Sequence, residues 1–199
     1  MNSLSITKLQ FLHCGPIDLQ LKATEIMGLS GASGSGKSRF LRALADLDEH
    51  KGEILLDDIN QQAIAAHLWR QKVALLSAET SWWFDTVVEH FMMKELAEDL
   101  AALGFTQDSL RWNVSRLSSG EKQRFGLLRI LQNQPDVLLL DEPTANLDKN
   151  NTRLFENFVM EYLSKHSACA VWVSHDHEQL QRISQREYKI EDGALINVY

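Results

Sequence analysis

Residues 31–38 read Gly-Ala-Ser-Gly-Ser-Gly-Lys-Ser. They fit the phosphate-binding pattern G-x-x-x-x-G-K-[ST]. Gly31, Gly34 and Gly36 let the backbone turn tightly, so that the N–H groups around Ala32, Ser33 and Ser35 aim inward at an anion. Lys37 is expected to reach the outer phosphates of a nucleotide as a point charge, and the Ser38 hydroxyl to be one ligand of the Mg²⁺ that travels with them.

The flanks support that reading. Glu25 to Ser30 is a short apolar run of strand length. After the loop, Phe40, Leu41, Leu44 and Leu47 recur at helical spacing, so a helix starting near Gly36 would turn its positive end toward the phosphates. A flexible Gly/Ser loop would need neither Lys37-Ser38 nor these neighbours.

The chain has 199 residues, 44% of them hydrophobic, which is enough for one domain with a proper core. Its net charge of -7 argues against nucleic acid as the main partner. Cys14 and Cys169 are too few and too far apart for a disulfide framework or a zinc site, and a reduced cytoplasmic setting is expected. The first ten residues carry no secretory pattern, and no apolar run approaches the roughly 20 residues that span a bilayer. Work at a membrane would go through a partner.

Taken in order, residues 4–30 alternate as strands, with a turn expected at Gly15-Pro16. Phe11 and His13 lie where an aromatic ring could stack on adenine, although Phe11 could equally be core. Gly52 to Leu56 and Val73 to Leu76 read as further strands. Ser81-Trp82-Trp83-Phe84 then leads into a stretch, Thr86 to Leu103, with helical periodicity that Gly104 is expected to end. Ser118, Ser119, Gly120 and Glu121 set up another helix start, running to about Asn133. Val137 to Leu140 and Ala168 to Val173 are continuous apolar runs separated by a helix, as in strands buried on both faces of a parallel sheet.

The chemistry gathers at the ends of those two runs. Asp141 and Glu142 close the first, where ligands of open α/β sheets bind. Asp141 is placed to hold Mg²⁺, and Glu142 to polarise the water that attacks the terminal phosphate. His175 follows the second run and could contact that phosphate or that water.

Five stretches therefore stand in one order: Gly31 to Ser38, Leu117 to Gln123 (LSSGEKQ), Leu138 to Glu142, Ala145 to Asp148 and Ser174 to Asp176. Together they resemble the nucleotide-binding domain of the ATP-binding cassette (ABC) ATPases, over nearly the whole chain. LSSGEKQ discriminates, because other phosphate-loop ATPases share only the first and third stretches. The resemblance implies an α/β P-loop NTPase fold over 1–199: a RecA-like core with a mostly parallel sheet, an N-terminal antiparallel β-subdomain and a small α-helical subdomain inserted at roughly 79–128.

It also implies an ATP-hydrolysing subunit of a membrane transporter, working with Mg²⁺ at the cytoplasmic face beside an integral permease. Two such domains would sandwich ATP, with Ser118, Ser119 and Gly120 of one completing the γ-phosphate site of the other and Asp148 linking the two sites. Glu142 matches the catalytic base, His175 the switch histidine and Phe11 the adenine-stacking aromatic. The short chain looks most like small bacterial subunits such as the iron-export ATPases. The runners-up are an ABC ATPase without a transport role and a nucleotide-binding regulator that does not hydrolyse.

Three positions depart from the family pattern. Ser119 replaces a glycine, and Arg39, expected with residues 31–38 in the nucleotide site, replaces the usual threonine after Ser38. Ala78 stands where a glutamine normally reports on Mg²⁺ and on the membrane partner. Trp82, Trp83 and Phe84 follow that loop, and either form a docking surface for the permease or fill the helical lobe.

Overall fold

The structure is a computed structural model describing residues 3–92 and 96–198. Strands β1 (Leu4–Phe11), β2 (Cys14–Leu21), β4 (Lys51–Leu56) and β5 (Ile59–Asn60) form an antiparallel sheet in the order β2-β1-β4-β5. A second sheet runs β10 (Ala194–Asn197), β9 (Arg186–Glu191), β3 (Ile26–Ser30), β8 (Cys169–Val173), β7 (Val137–Asp141), β6 (Val73–Leu76). Its strands pair in parallel except β10 at the edge. The helices are α1 (Lys37–Leu44), α2 (Ala66–Lys72), α3 (Ala97–Ala102), α4 (Ser119–Leu131), α5 (Lys149–His166) and α6 (His177–Ile183).

The central strands are apolar throughout because both of their faces are covered. Met27, Leu29, Val137, Leu139, Cys169 and Val171 face α1 and the antiparallel sheet. Leu138, Leu140, Ala170 and Trp172 point the other way, toward α4, α5 and α6. Each Leu, Val or Met side chain among them contributes about 1.5–3 kcal/mol by leaving water, and the period of two divides the contribution between two cores.

The expected mostly parallel core and N-terminal antiparallel sheet are present. Between β6 and α4, Val87, Leu96, Leu100, Leu103 and Phe105 pack on α4 and join the second core. Four local expectations are corrected. The hairpin turn falls at Leu12-His13, because Phe11 pairs with Cys14. Gly15 and Pro16 lie within β2, an edge strand, where the missing N–H of proline is tolerated.

The stretch from Thr86 is not one helix. Thr86 makes a bridge with Asn113, a 3₁₀ turn spans Val88–His90, and α3 covers only Ala97–Ala102; residues 93–95 of the expected helix lie outside the described residues. Glu89 bonds both the N–H and the hydroxyl of Thr86, at 2.8 and 2.6 Å, and closes the chain into a short turn. Gly104 does end α3, at φ 78°.

The third correction is Phe11. The burial of β1 starts on Leu4 and Ile6, then changes phase to Leu9 and Phe11 across a register shift at which Lys8 has φ 51°. That bulge turns an odd-numbered residue inward. Phe11 is 3% exposed and packs on Phe40 at 5.8 Å between centroids, so its ring has no free face for adenine. Exposed His13, at the hairpin tip, is the aromatic left at the surface.

Arg39, taken from the resemblance as part of the nucleotide site, is also redirected. Its guanidinium bonds Asp48 at 2.8 Å, alongside a two-pronged bond from Arg42 to the same carboxylate. Asp48 thereby ties α1 to the turn that follows it, and the Arg39 side chain is drawn away from a phosphate role.

Phe11→Ala should lower unfolding free energy in urea by about 3 kcal/mol or more, as expected of a core aromatic; a loss below about 1 kcal/mol would restore the stacking role. Asp48 offers a pH test. Hydrogen bonding to Arg42, with Arg39 adding to it, holds its carboxyl at about 2 rather than 3.8. A depressed folded value contributes stability above the unfolded value, and that contribution is lost as pH falls through 2. Asp48→Asn should therefore cost about 1 kcal/mol at pH 7, after screening of the half-exposed arginines, and the gap from the parent should close in urea melts at pH 2–3.

Candidate functional site

Three loops leave the carboxyl edge of the central sheet side by side. The first follows β3, and α1 begins at Lys37 with Gly36 as its N-cap, at φ 111°. Only glycine suits Gly36: the backbone is left-handed there, and a Cβ would sit 3.2 Å from Cys14 Sγ and 3.6 Å from Phe11 Cε2. Phe11, in the core, thus props the phosphate loop from beneath.

At Gly31 a Cβ would lie 2.9 Å from Ser35 Oγ and 2.8 Å from the Ile190 carbonyl, so the loop closes tightly on itself. Ser35 Oγ is buried and has no hydrogen-bond partner among the described residues. An orphaned donor in a concavity of N–H groups fits an anionic ligand. Lys37 is 6% exposed and donates to the carbonyls of Gly31 and Ala32 at 2.8 and 3.0 Å. Burial lowers its pKa, and the charges of Glu142 and Asp141 oppose that shift.

The second loop follows β7. The Ser38 hydroxyl donates to Asp141, which joins the phosphate loop to the acid pair. Burial raises the pKa of Asp141, and the Ser38 bond works against it. A desolvated carboxylate bonded to a hydroxyl is an oxygen donor set that fits a hard cation with water in its shell, as Mg²⁺ requires. Glu142 is held at φ 47°, an uncommon conformation for a non-glycine residue, and its N–H bonds the Val173 carbonyl at 3.2 Å.

The third loop follows β8. His175 Nε2 lies 3.0 Å from Glu142 Oε1, so the two residues read separately from the sequence meet. An open cleft of about 820 Å³ lies against this pair, between the starts of α5 and α6.

Ser118, Ser119, Gly120 and Asp148 form a separate group. Ser118 caps α4 in a capping box with Glu121, as the Ser-x-x-Glu spacing implies. A Cβ on Gly120 would come within 2.8 Å of the Asn146 carbonyl and 2.9 Å of Leu147 Cδ2. The turn is therefore seated on the loop that leads to Asp148, which caps α5 through the N–H of Asn151 at 2.9 Å. Hydrogen bonds from Asn151 hold the Asp148 carboxyl below its usual range. Ser118 and Ser119 are exposed, and no hydrogen bond among the described residues links them to the loop 31–38.

After β6 the chain is organised by residues that sequence reasoning missed. Gln123 Nε2 donates to the Ser77 carbonyl at 3.1 Å, next to exposed Ala78. Arg129 bonds the Ser81 carbonyl at 2.8 Å and lies over the rings of Trp82 and Trp83 at 4.5 and 4.8 Å. His90 Nε2 accepts the N–H groups of Trp83 and Phe84, both at 3.1 Å. The aromatic triplet divides: Trp82 packs against the second core, whereas Trp83 is 63% and Phe84 47% exposed. A helical repeat from Gln123 through Gly126 to Arg129, on the face turned to β6, was the available signal.

The comparisons with known proteins agree with this geometry. The family model described as ABC transporter matches residues 14–145. The probable iron export ATP-binding protein FetA of Escherichia coli (strain K12) is 30% identical over 176 residues, covering 82% of this chain and 78% of that protein. The methionine import ATP-binding protein MetN of Protochlamydia amoebophila is 30% identical over 198 residues, with the chain spanning 90% of its own length and 58% of the relative. Among solved structures, a dimeric ATP-binding cassette in a post-hydrolysis state with ADP and Pi superposes at a TM-score of 0.80 over 96% of both chains, at 20% identity. A bacterial Atm1-family ABC exporter with ATP bound gives 0.85 at 20% identity, over 98% of this chain and 38% of that one. With its phosphate loop, acid pair and LSSGEKQ turn in the family's order and the family model covering most of its length, the chain belongs to the ABC transporter family.

Proposed function

We propose that the chain is an ATP-binding, ATP-hydrolysing subunit that powers a membrane ABC transporter, with ATP held between two nucleotide-binding domains. The observation that carries this is a division within one chain. Lys37, Ser38, Asp141, Glu142 and His175 gather at one edge of the sheet, where Glu142 and His175 meet at 3.0 Å and the charges of both acids act on Lys37, while exposed Ser118 and Ser119 belong to a separate group around Gly120 and Asp148. A second subunit presenting that turn would complete the site, because a helix N-terminus favours an anion.

In this reading the backbone of Gly31 to Gly36, with Ser35 Oγ, binds the phosphates. Lys37 exchanges its two backbone carbonyls for phosphate oxygens. Ser38 and Asp141 would hold Mg²⁺, which supplies charge neutralisation to the phosphates when bound. Glu142 takes a proton from the attacking water, and His175, 3.0 Å away, holds that carboxylate in line and faces the terminal phosphate. Asp148 meets the partner domain across the interface. His13 replaces Phe11 as the ring available to the base. Residues 79–128 act as the helical lobe, and exposed Trp83 and Phe84 form its contact with an integral permease at the cytoplasmic face.

Glu142→Gln should lower the turnover of ATP by about a hundredfold or more while leaving ATP binding intact. The same variant should elute as a dimer from a sizing column with ATP and Mg²⁺; unchanged turnover would remove Glu142 from the role of base. For the permease contact, Trp83→Gln should shift Tm by less than about 2 °C yet reduce recovery of the chain with the membrane fraction. A larger drop in Tm would make Trp83 part of the core.

A further inference from the structure

Behind the Glu142–His175 pair lies a buried polar cluster that the roles above leave unused. At its centre is Gln179 on α6, 2% exposed. Its Oε1 accepts from Ser174 Oγ at 2.8 Å, and its Nε2 donates to Thr144 Oγ1 at 2.9 Å and to Glu156 Oε1 at 2.8 Å. Glu156, on α5 and also 2% exposed, is held by Arg182 Nη2 at 2.6 Å. Ser174 Oγ accepts the Asp176 N–H, and Asp176 Oδ1 accepts the Gln179 N–H, both at 3.0 Å.

The chain positions of these partners give the cluster its meaning. Ser174 immediately precedes His175, and Thr144 is two residues past Glu142. One side-chain amide therefore grips both loops that carry the pair. The neighbours of Gln179 on α6 that face the sheet, Leu180 and Ile183, are apolar, so an apolar residue would fill the same space without joining the loops. A fully satisfied buried network holds its members rigidly, and catalytic groups need placement to within about 0.5 Å. Glu142 also sits in an uncommon backbone conformation, which its surroundings must enforce.

We propose that Gln179 is a positioning residue that sets the approach of His175 to Glu142 by locking the loop 142–148 to the loop 174–176. The proposal rests on the reading that Glu142 and His175 serve ATP hydrolysis. Gln179 acts through them and touches neither nucleotide nor water.

The test uses the full chain and steady-state ATP hydrolysis. Gln179→Met keeps the volume and removes the amide; kcat should fall about tenfold with KM for ATP within about twofold. In a His175→Ala background the same substitution should cost less than about twofold in kcat, because the group it positions is gone. Gln179→Glu alone sets a second carboxylate beside Glu156 and should lose as much. Glu156→Gln with Gln179→Glu restores that bond with donor and acceptor exchanged, and should bring kcat back to within about threefold of the parent. If Gln179→Met does not fold, the exchanged pair decides. An unchanged kcat in Gln179→Met, a full tenfold loss in the His175→Ala background, or a folded exchanged pair that stays slow would each overturn the proposal while the parent still hydrolyses ATP. A parent without hydrolysis would overturn the functional reading itself, and this proposal with it.

Discussion

Parallel pairing sets Leu29 against Val173 and Asp141 against Val173, so three strands end on one level. The ladder then extends one step beyond the strands: Ser174 donates to the Leu29 carbonyl and Glu142 to that of Val173, each at 3.2 Å. Those two bonds fix where the loops begin, and hence where His175 and Glu142 can stand. A slip of one residue would send every alternate side chain to the opposite face. Here both faces are packed with Leu, Val and Trp, so the register that positions the site is also the one that fills the two cores.

How much of this could be read beforehand follows from the range of each interaction. The phosphate loop, the capping box at Ser118 and the apolar runs of β7 and β8 are local patterns, and each stands where its residues implied. Phe11 was open to misreading because its direction depends on the bulge at Lys8, held by partners elsewhere in the chain: Lys8 N–H bonds Asp18, and a Cβ on Gly52 would lie 2.5 Å from the Lys8 carbonyl. The stretch from Thr86 carries helical periodicity but opens in a bridge and a 3₁₀ turn, where Glu89 takes the Thr86 N–H and His90 those of Trp83 and Phe84. β9 and the edge strand β10 are only partly buried and show no clean alternation, so their sequences carry little strand signal.

Electrostatics separates the site from the scaffold. Two buried carboxylates of the scaffold are ion-paired: Glu156 with Arg182, and Glu25 with Arg186. At the phosphate loop the balance differs. Lys37 is shifted down and Asp141 up, chiefly by burial, and Ser35 Oγ lacks a partner. Each is a cost to the free protein that an anion and a cation together would relieve. Ligand binding and fold stability are therefore linked by mass action through the same few groups.

The loop from Glu142 to Asp148 then acquires a mechanical sense. Its first residue faces His175, its third holds Gln179, its fifth and sixth support Gly120, and its last caps α5. Displacing the Ser118–Gly120 turn would press on Asn146 and Leu147, where less than a methyl group of space is free. Because both ends of this short loop are pinned, by a sheet bond at Glu142 and a helix cap at Asp148, movement there has few ways to dissipate before it reaches Thr144. The turn that would meet a second subunit's nucleotide is thus coupled by direct packing to the carboxylate that would act on the chain's own.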